Sequence, residues 1–414
     1  MIFKMNVLKE LRNRGILKAI SNEEKFNSLP EGVGVYCGFD PTATSLHLGN
    51  YIQIANLLRF KQAGFTTYAI LGGATGMIGD PSFKDSERQL LDDVTVLENK
   101  NKIKAQLESY GLTVIDNYDF YKDMNILEFL RSVGKLVNIS YMLAKDSVAS
   151  RIEKGLSFTE FTYQLIQGWD FATLYKDKNI CIQFGGSDQW GNITTGLDMI
   201  STLHGNDHKA VAITANLLTD ANGNKFGKST GGGSLWLDAS KTKPFVMYQF
   251  LLNQPDSEVE KLLKWLTFLP LEQIEQIIEK HKEQPSLRYA QKELAYAVIS
   301  DVHSSAEAKK AKLISEILFN KNLDLSNYST EEISDIYEDI NHFELVKDQN
   351  LINQLIQNNI IKSKREAREF ITNNSIKLNL EPVNEDSVLN SSLWNNKFAL
   401  LHVGKKNIYL IKIK

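Results

Sequence analysis

The chain has 414 residues, of which 43% are hydrophobic and 23% charged, and its net charge is −3. These values predict a globular protein of about two or three domains, and they exclude a transmembrane helix because no apolar run approaches about 18 residues. The only two cysteines, Cys37 and Cys181, exclude a disulfide framework and a cysteine-based zinc site. Such cysteine usage is typical of a reducing compartment, so we expect a cytoplasmic protein that makes no membrane contact.

The first half of the chain alternates short strand-like runs with helical segments. Residues 1–20 are amphipathic and lack the apolar core of a signal peptide, so we interpret them as a first helix. Strands are predicted at GVGVYCGF, TTYAILGG, LTVIDN, NICIQFGG and AVAITAN. A helix follows the first of them, with Ser45 as its expected N-cap and Gly64 at its end. This alternation predicts an α/β fold with a mostly parallel sheet, whose ligand lies beyond the carboxyl ends of the strands.

Helical spacing without strands replaces this pattern after residue 220 and predicts a helical domain over residues 221–325. Residues 326–345 are rich in Asn, Ser and acids, and we interpret them as a linker with one short helix. Two short helices and three strand-like runs predict a small α+β module over residues 346–414. Residues 361–414 carry a net charge of +5 and the remainder −8. A polyanion partner and a solvated basic face both fit this asymmetry.

The stretch CGFDPTATSLHLGN leaves the first predicted strand and enters a helix. A helix N-terminus offers unpaired N–H groups and a positive dipole end, which together bind anions. Thr42 and His47 can donate to phosphate oxygens, and Gly49 lets a flat ligand approach the backbone. Taken alone, a histidine at this position is more often a cap or a packed surface residue.

The second candidate is KFGKS, residues 225–229, between the turn DANGN and the run TGGGS. Lysines on such a mobile, glycine-flanked loop can close over a polyphosphate and neutralise charge that develops in a transition state. A surface loop, where lysine is common, explains Lys225 and Lys228 equally well when the motif is taken alone.

Together, HLGN and KFGKS resemble in order and spacing the two signatures of class I aminoacyl-tRNA synthetases. The chain closely resembles the bacterial tyrosyl-tRNA synthetases from end to end, through YCGFDPTATSLHLGN, GGATGMIGDPS, FTEFTYQLIQGWDF, QFGGSDQWGNI, KFGKS and the basic C-terminal module. The resemblance implies a Rossmann-like, doubly wound catalytic domain over residues 1–220, then the helical domain and an RNA-binding module. It implies that a homodimer activates L-tyrosine with ATP and Mg²⁺ to tyrosyl-adenylate and transfers it to the 3′-terminal ribose of tRNA(Tyr). No metal site of the protein's own is expected.

The predicted helix SFTEFTYQLIQGWD has a cap at its start and polar residues along one face. Ser157 and Glu160 form an expected capping box at its start. Tyr163, Gln167 and Asp170 then fall at i, i+4 and i+7, on one face. Such polar groups need partners when they lie against a sheet, and a free amino acid would supply them. A solvent-facing helix side is the alternative, which the apolar residues of the same helix disfavour.

The resemblance also implies roles for individual residues. The implied tyrosine site consists of Tyr36, Asp80, Tyr163, Gln167, Asp170 and Gln183. The implied ATP site consists of Cys37, Gly38, Asp40, His47, Gly49, Asn50, Gly185, Asp188, Gln189, Lys228 and Ser229. The groups expected to stabilise the transferring phosphates are Thr42, His47, Lys84, Arg88, Lys225 and Lys228. The cations expected to meet RNA phosphates are Lys362, Lys364, Arg365 and Arg368.

Two positions depart from the general pattern of the class. The first signature ends in Asn50 where histidine is usual; asparagine keeps a donor, so we expect activity to survive. The second has Phe226-Gly227 in place of Met-Ser, as is common on the tyrosine branch.

Three other functions compete with this interpretation. A tryptophan enzyme is the nearest, and the Tyr36–Asp170 pair and the C-terminal module argue against it. A non-enzymatic RNA-binding factor built on a retired synthetase would be free to lose His47 or Lys228, and both are present. A small-molecule adenylyltransferase would not need residues 220–414.

Overall fold

The computed structural model describes residues 6–82, 92–145, 148–149, 152, 155–219, 226–227, 233–320, 323–404 and 407–414. The chain divides into two compact units. Unit 1 comprises Met1–Lys243 and Asn253–Leu294, and unit 2 comprises Pro244–Leu252 and Ala295–Lys414.

Unit 1 is built on a six-stranded sheet in the order β1-β6-β5-β2-β3-β4. The strands are β1 (Leu17–Ile20), β2 (Gly34–Phe39), β3 (Thr66–Leu71), β4 (Thr113–Asp116), β5 (Ile180–Gly186) and β6 (Val211–Ala215). Strands β2 to β6 pair in parallel, and β1 pairs with β6 antiparallel at the edge. Strands β5 and β6 are buried along their whole length, as parallel strands covered on both faces are. This confirms the predicted α/β class with its mostly parallel sheet.

The order of the sheet reverses between β2 and β5, because β3 and β4 continue on one side of β2 whereas β5 and β6 continue on the other. In doubly wound sheets such a switch point opens a crevice at the carboxyl ends of the two strands, and ligands bind there. The topology alone therefore selects the loops after Phe39 and Gly186 as the place for a site.

Several α-helices of the described residues precede residue 205. They are α1 (Val7–Asn13), α2 (Glu23–Asn27), α3 (Leu48–Gln62), α4 (Thr75–Ile78), α5 (Asp93–Ser109), α6 (Ile126–Ser132), α7 (Ile139–Leu143), α8 (Phe158–Lys178) and α9 (Trp190–His204). Helix α3 packs on β2 and β3, and α9 packs on α8, β5 and β6. The prediction of a single N-terminal helix over residues 1–20 is wrong, because α1 ends at Asn13. Gly15, with φ +70°, then turns the chain into β1.

Residues 244–319, all of them described, contain helices and no strand. They form α10 (Pro244–Leu252), α11 (Asp256–Leu266), α12 (Leu271–Glu283), α13 (Tyr289–Val302) and α14 (Ser305–Phe319). Two buried arginines of unit 1 hold the end of α11: Arg14 donates to the carbonyl of Lys264 at 2.9 Å, and Arg59 donates to that of Thr267 at 2.8 Å. Carbonyls at the C-terminus of a helix lack partners within it, and the guanidinium groups supply them.

Unit 2 contains a five-stranded sheet in the order β7-β11-β10-β8-β9. Its strands are β7 (His342–Leu345), β8 (Ile376–Leu378), β9 (Glu381–Pro382), β10 (Phe398–Val403) and β11 (Asn407–Ile413). The helices α15 (Thr330–Asp335), α16 (Leu351–Gln357) and α17 (Lys364–Thr372) accompany the sheet. This confirms the predicted α+β character of the C-terminal part.

The segment 326–345 differs from its interpretation as a linker. It forms α15 and β7, and β7 pairs in parallel with β11. Ile333 and Ile336 are fully buried in a core shared with Leu400 and Leu410. The segment is mostly polar, so its composition did not indicate burial. Its few apolar side chains are nevertheless enough to hold it in the core.

Candidate active site

A cavity of about 230 Å³ opens at the switch point between β2 and β5. Most of the residues predicted for the tyrosine and ATP sites line it. The lining consists of Tyr36, Cys37, Gly38, Phe39, Asp40, Asn50, Gln53, Ile70, Thr75, Asp80, Asn117, Tyr163, Gln167, Asp170, Gln183, Phe184, Gly185, Gly186, Asp188, Gln189 and Ile193. Loops that are far apart in sequence are thus brought to one edge of the sheet.

Asp170 on α8 lies at a buried part of the cavity and is only 3% exposed. Its carboxylate accepts hydrogen bonds from the Tyr121 hydroxyl at 2.6 Å and from Asn117 Nδ2 at 2.9 Å. Burial raises the pKa of Asp170 to about 7, and the two hydrogen bonds oppose that rise. The cavity therefore holds a carboxylate that is costly to ionise without a further donor.

Tyr36 on β2 is buried beside Asp170, and its ring packs edge-on against Phe171 with centroids 5.6 Å apart. Its hydroxyl finds no hydrogen-bond partner among the described residues. Burial, and then the charge of Asp170, raise the pKa of Tyr36 well above its ordinary value, so the hydroxyl stays protonated. Gln183 Oε1 on β5 likewise lacks a partner among the described residues. Unsatisfied buried polar groups are costly, and a polar ligand would relieve the cost.

Asp80 has a different environment. Its carboxylate accepts hydrogen bonds from Gln189 Nε2 at 2.8 Å, from the Ser82 backbone N–H at 3.0 Å and from Asn192 Nδ2 at 3.4 Å. Asn192 also donates to Gln189 Oε1 at 3.2 Å. The loop after β3 and the start of α9 are thereby tied together around one carboxylate.

The face of α8 lies as its spacing predicts, since Tyr163, Gln167 and Asp170 all line the cavity. Ser157 caps the helix by accepting a hydrogen bond from the Glu160 backbone N–H at 3.2 Å. The Tyr163 hydroxyl reaches Asp40 Oδ2 at 3.4 Å, and Thr75 donates to Asp40 Oδ1 at 2.9 Å. Tyr163 and Asp170 are buried and Gln167 is half-buried, so this face is not a solvent-facing helix side.

Helix α3 begins at Leu48, later than expected, and its N-cap is His47 instead of Ser45. The Asn50 side chain accepts a hydrogen bond from the His47 backbone N–H at 3.1 Å, which completes a capping arrangement. The Ser45 hydroxyl donates to the Leu46 carbonyl at 2.8 Å. Asn50, where histidine was expected, therefore supports the helix start and also lines the cavity.

The described part of the second signature lies against the first. A Cβ at Gly49 would sit 2.9 Å from the Phe226 carbonyl oxygen, and one at Gly227 would sit 2.9 Å from the Gly49 nitrogen. Gly227 also has φ +91°, which favours glycine. The two signatures thus approach as closely as backbone allows. The predicted site residues Lys84, Arg88, Lys225, Lys228 and Ser229 lie outside the described residues.

Cys37 and Asp188 occupy the part of the cavity formed by the ends of β2 and β5. Burial, then the charge of Asp188, raise the pKa of Cys37 to about 12, so its thiol stays protonated. Thr42, His47 and Gly49 are described residues that lie near this region without lining the cavity. Thr42 is exposed, and its backbone N–H donates to the Asp40 carbonyl at 2.9 Å.

The four cations predicted to meet RNA lie just before α17 or in its first half, in unit 2, and all are exposed. Arg368 pairs with Glu385 at 3.1 Å. Glu366 accepts a hydrogen bond from the Lys362 backbone N–H at 2.6 Å. Acids are thus interleaved with Lys362, Lys364, Arg365 and Arg368 on this surface.

Sequence reasoning missed several polar residues of the site, one of which is Thr75, the donor to Asp40. Asn117, Tyr121 and Asn192 hold the two carboxylates, and Gln53 lines the cavity one helical turn after Gly49. Asn117 directly follows β4, so its place at a strand end was a usable signal. No sequence signal pointed to Tyr121, because its contact with Asp170 joins residues that are 49 positions apart.

Within the described residues, no group of three or more His, Cys, Asp or Glu is arranged to hold a metal ion. A search of the same residues finds no helix with the length and apolarity that crossing a membrane requires.

Comparison with known proteins agrees with this geometry. The family described as tRNA synthetases class I (W and Y) matches residues 30–320, and the tyrosine–tRNA ligase SYY-like C-terminal domain matches residues 332–411. The tyrosine–tRNA ligase of Mycoplasmopsis synoviae is 61% identical over 99% of both chains. That of Mycoplasmopsis pulmonis is 50% identical over 98% of both.

Solved structures agree as well. A C-terminally truncated mitochondrial tyrosyl-tRNA synthetase from Aspergillus nidulans matches with a TM-score of 0.69 and 30% identity, over 76% of this chain and 94% of that one. A tryptophanyl-tRNA synthetase from Encephalitozoon cuniculi matches with a TM-score of 0.52 and 14% identity, over 73% and 87%, and so shares the fold. This chain belongs to the class I aminoacyl-tRNA synthetase family, on its tyrosine–tRNA ligase branch.

Proposed function

We propose that the cavity at the switch point is where this tyrosine–tRNA ligase joins L-tyrosine and ATP to form tyrosyl-adenylate, before transfer of tyrosine to tRNA(Tyr). One observation carries the assignment of the cavity: Tyr36 and Asp170 lie side by side in a buried pocket, where the Tyr36 hydroxyl has no partner among the described residues. A substrate phenol fits both groups, because a hydroxyl can donate and accept at once.

Recognition of the substrate hydroxyl follows from this pair. The phenol donates to the Asp170 carboxylate and accepts from the Tyr36 hydroxyl. Phenylalanine would leave the Tyr36 hydroxyl without a partner and Asp170 without a further donor in a buried site, and such a site rejects the analogue that lacks the hydroxyl. Tryptophan is rejected on the same ground, since its indole is a donor without an acceptor.

The ammonium group of tyrosine binds at Asp80, with Tyr163 and Gln167 as further partners. The three hydrogen bonds from Gln189, Ser82 and Asn192 fix the Asp80 carboxylate before substrate arrives. A carboxylate held in this way needs little rearrangement to accept a cation. Gln183, whose Oε1 lacks a described partner, completes the tyrosine site.

The nucleotide lies over the ends of β2 and β5. Asp188 accepts from the ribose hydroxyls, and Cys37 contacts the ribose as a neutral thiol. Gly185 and Gly186 permit close approach of the nucleotide, and Gln189 lies near the α-phosphate. The rest of the ATP site is formed by Gly38, Asp40, His47, Gly49, Asn50, Lys228 and Ser229.

Adenylate formation needs positioning and charge stabilisation more than proton transfer. The tyrosine carboxylate, already ionised, attacks the α-phosphorus in line, the bond to the bridging oxygen breaks, and pyrophosphate leaves. Mg²⁺ enters with ATP as part of the substrate and neutralises phosphate charge. The residues that bind the departing pyrophosphate are Thr42, His47, Lys84, Arg88, Lys225 and Lys228.

The second step uses the tRNA. A hydroxyl of its 3′-terminal ribose attacks the adenylate carbonyl, and AMP leaves. The exposed cations just before α17 and in its first half meet RNA phosphates in this proposal. Their interleaved acids favour a contact directed by RNA shape over simple charge attraction.

We also propose that the chain works as a homodimer. The observation in support is a set of large apolar side chains in unit 1 that are at least 40% exposed, a costly arrangement for a lone subunit. They are Ile126, Leu127, Leu130, Ile139, Leu143 and Phe158. A second copy covers them; Leu127→Glu should shift the mass in light scattering from dimer to monomer, whereas a wild-type monomer would contradict the proposal.

Buried free thiols at Cys37 and Cys181 suit the reducing cytoplasm, where we place the protein. The functional regions are a catalytic part over residues 1–220, a helical part over 221–325 and an RNA-binding part over 346–414, with 326–345 between them.

The experiment is ATP–pyrophosphate exchange with tyrosine, phenylalanine or tryptophan, without tRNA. We expect exchange with tyrosine alone. Asp170→Ala should abolish most of it, whereas Lys364→Ala in unit 2 should leave it unchanged and weaken only tRNA charging. Exchange driven by another amino acid would overturn the roles of Tyr36 and Asp170, and absence of any exchange would overturn the assignment of the cavity.

A further inference from the structure

The segment Leu235-Trp236-Leu237 forms a backbone bridge to the first signature. The Leu48 N–H donates to the Leu235 carbonyl at 2.8 Å, and the Leu237 N–H donates to the Leu46 carbonyl at 2.8 Å. His47 and Trp236 face each other at the centre of this antiparallel bridge. The position of His47 is therefore set by a segment almost 190 residues away along the chain.

The same segment is bonded to the second signature. The Leu235 N–H donates to the Gly227 carbonyl at 2.9 Å, and the Phe226 N–H donates to the Leu218 carbonyl at 3.2 Å. Leu235 thus lies between the two signatures and bonds to both through its backbone. A displacement of this segment would move both at once.

Trp236 is itself held on several sides. Its backbone N–H donates to Thr242 Oγ1 at 2.9 Å, and the Lys241 ammonium lies 5.4 Å from its ring centroid. Its indole ring lies 6.3 Å from the His47 imidazole, centroid to centroid, at an interplanar angle of 57°. That separation and tilt fall within the range of favourable aromatic pairs.

We infer that Trp236 is a positioning residue for adenylate formation, one that fixes the His47 imidazole where the pyrophosphate leaves. The inference rests on the proposed role of His47. Trp236 meets the first signature at His47, through the backbone bridge and the ring contact, so its effect is assigned through the histidine. A catalytic group displaced by a fraction of an ångström loses much of its effect on the rate, and a ring packed against it prevents that displacement.

The inference predicts that loss of Trp236 lowers kcat and leaves the KM for tyrosine unchanged. Loss of the indole should lower kcat for pyrophosphate exchange by about three- to tenfold, the range that an aromatic pair supplies. The KM for tyrosine should stay unchanged, because Tyr36, Asp80 and Asp170 line the cavity and Trp236 does not. A tryptophan with a merely structural role would instead lower thermal stability and raise every KM together.

The test is a double-mutant cycle of Trp236→Leu and His47→Ala, with exchange kinetics and thermal unfolding measured for each chain. We expect Trp236→Leu to lower kcat in the wild-type background and to have no further effect in the His47→Ala background. Trp236→Phe, which keeps an aromatic ring, should lie within about twofold of wild type.

Equal losses in both backgrounds would overturn the inference, as would no loss at all or a loss confined to the KM for tyrosine. If Trp236→Leu does not fold, the cycle is run with Trp236→Met, which also removes the ring, and strict additivity with His47→Ala would again overturn the inference. A His47→Ala chain as active as wild type would instead overturn the proposed role of His47. The two failures are therefore distinguishable.

Discussion

Asp80 and Asp170, the two carboxylates of the proposed tyrosine site, lie in different environments of one cavity. Asp80 accepts three hydrogen bonds from neighbouring chain segments, whereas Asp170 is buried with its pKa raised to about 7 and lies beside a Tyr36 hydroxyl that has no described partner. Asp80 is thus ready for a cation, which every amino acid carries. Asp170 already accepts hydrogen bonds from Tyr121 and Asn117, but Tyr36 gains a partner, and Asp170 a further donor, only from a substrate with a hydroxyl. In the proposed site, general binding and specificity therefore depend on different carboxylates.

The largest effect should come from neutralising Asp80. Asp80→Asn keeps the shape and removes the charge that meets the ammonium, so kcat/KM for tyrosine should fall by about 100-fold or more. Exchange kinetics with tyrosine varied at saturating ATP measure this. The KM for ATP should change little; a loss confined to ATP would place the ammonium elsewhere.

Tyr36→Phe should have an intermediate effect on kcat/KM for tyrosine. It should lower activity while it raises stability. Removing the buried hydroxyl relieves an unsatisfied group, so the free energy of unfolding without substrate should rise by about 1 kcal/mol. The kcat/KM for tyrosine should fall by about tenfold, and preference over phenylalanine should shrink. Urea unfolding measures the change in the free energy of unfolding, and exchange kinetics measure the change in kcat/KM. Phe171→Leu is a control that leaves the Tyr36 hydroxyl in place.

A smaller effect is the pH dependence of tyrosine binding. The phenol needs the ionised Asp170 as its acceptor, so affinity should rise as pH increases through about 7 and then level off. The stability of the free protein should move in the opposite direction. The folded state holds a proton on Asp170 up to about pH 7, whereas the unfolded chain releases it near its ordinary value of 3.8, so burial destabilises the fold as pH rises between them.

Calorimetric titration of tyrosine at several pH values would test this dependence. In Asp170→Asn the remaining affinity should be independent of pH across this window. A wild-type affinity that falls as pH rises through 7 would show that Asp170 binds as the acid.

The smallest effect should come from Asn192, one of the donors to Asp80. Asn192→Ala removes its hydrogen bonds to Asp80, Gln189 and Ser82, and the KM for tyrosine should rise about threefold. Ser82→Ala, which retains the backbone donor to Asp80, serves as the matched control and should have no effect. Equal KM values in wild type and Asn192→Ala would mean that Asp80 needs no such support.

Most strands of the sheet in unit 1 and one face of the site could be predicted from the sequence. Alternating apolar runs predicted β2 to β6, and helical spacing predicted that Tyr163, Gln167 and Asp170 share a face. The short edge strands β1 and β7 carried too little pattern to be recognised. Tyr121 and Asn117 could not be assigned to Asp170, because their hydrogen bonds join residues 49 and 53 positions apart, and such contacts exist only after folding.

The parallel pairing of β7 with β11 has a practical consequence for dissecting the molecule. A fragment that begins at residue 346 leaves β7 behind and opens the backbone groups of β11 along one side, from Leu410 to Ile413. An open strand edge of this kind is a template for adding strands from other molecules, so such a fragment is expected to aggregate. A fragment that begins before Ser329 keeps the capped helix α15 and strand β7, and it is the one to use for isolated RNA-binding measurements.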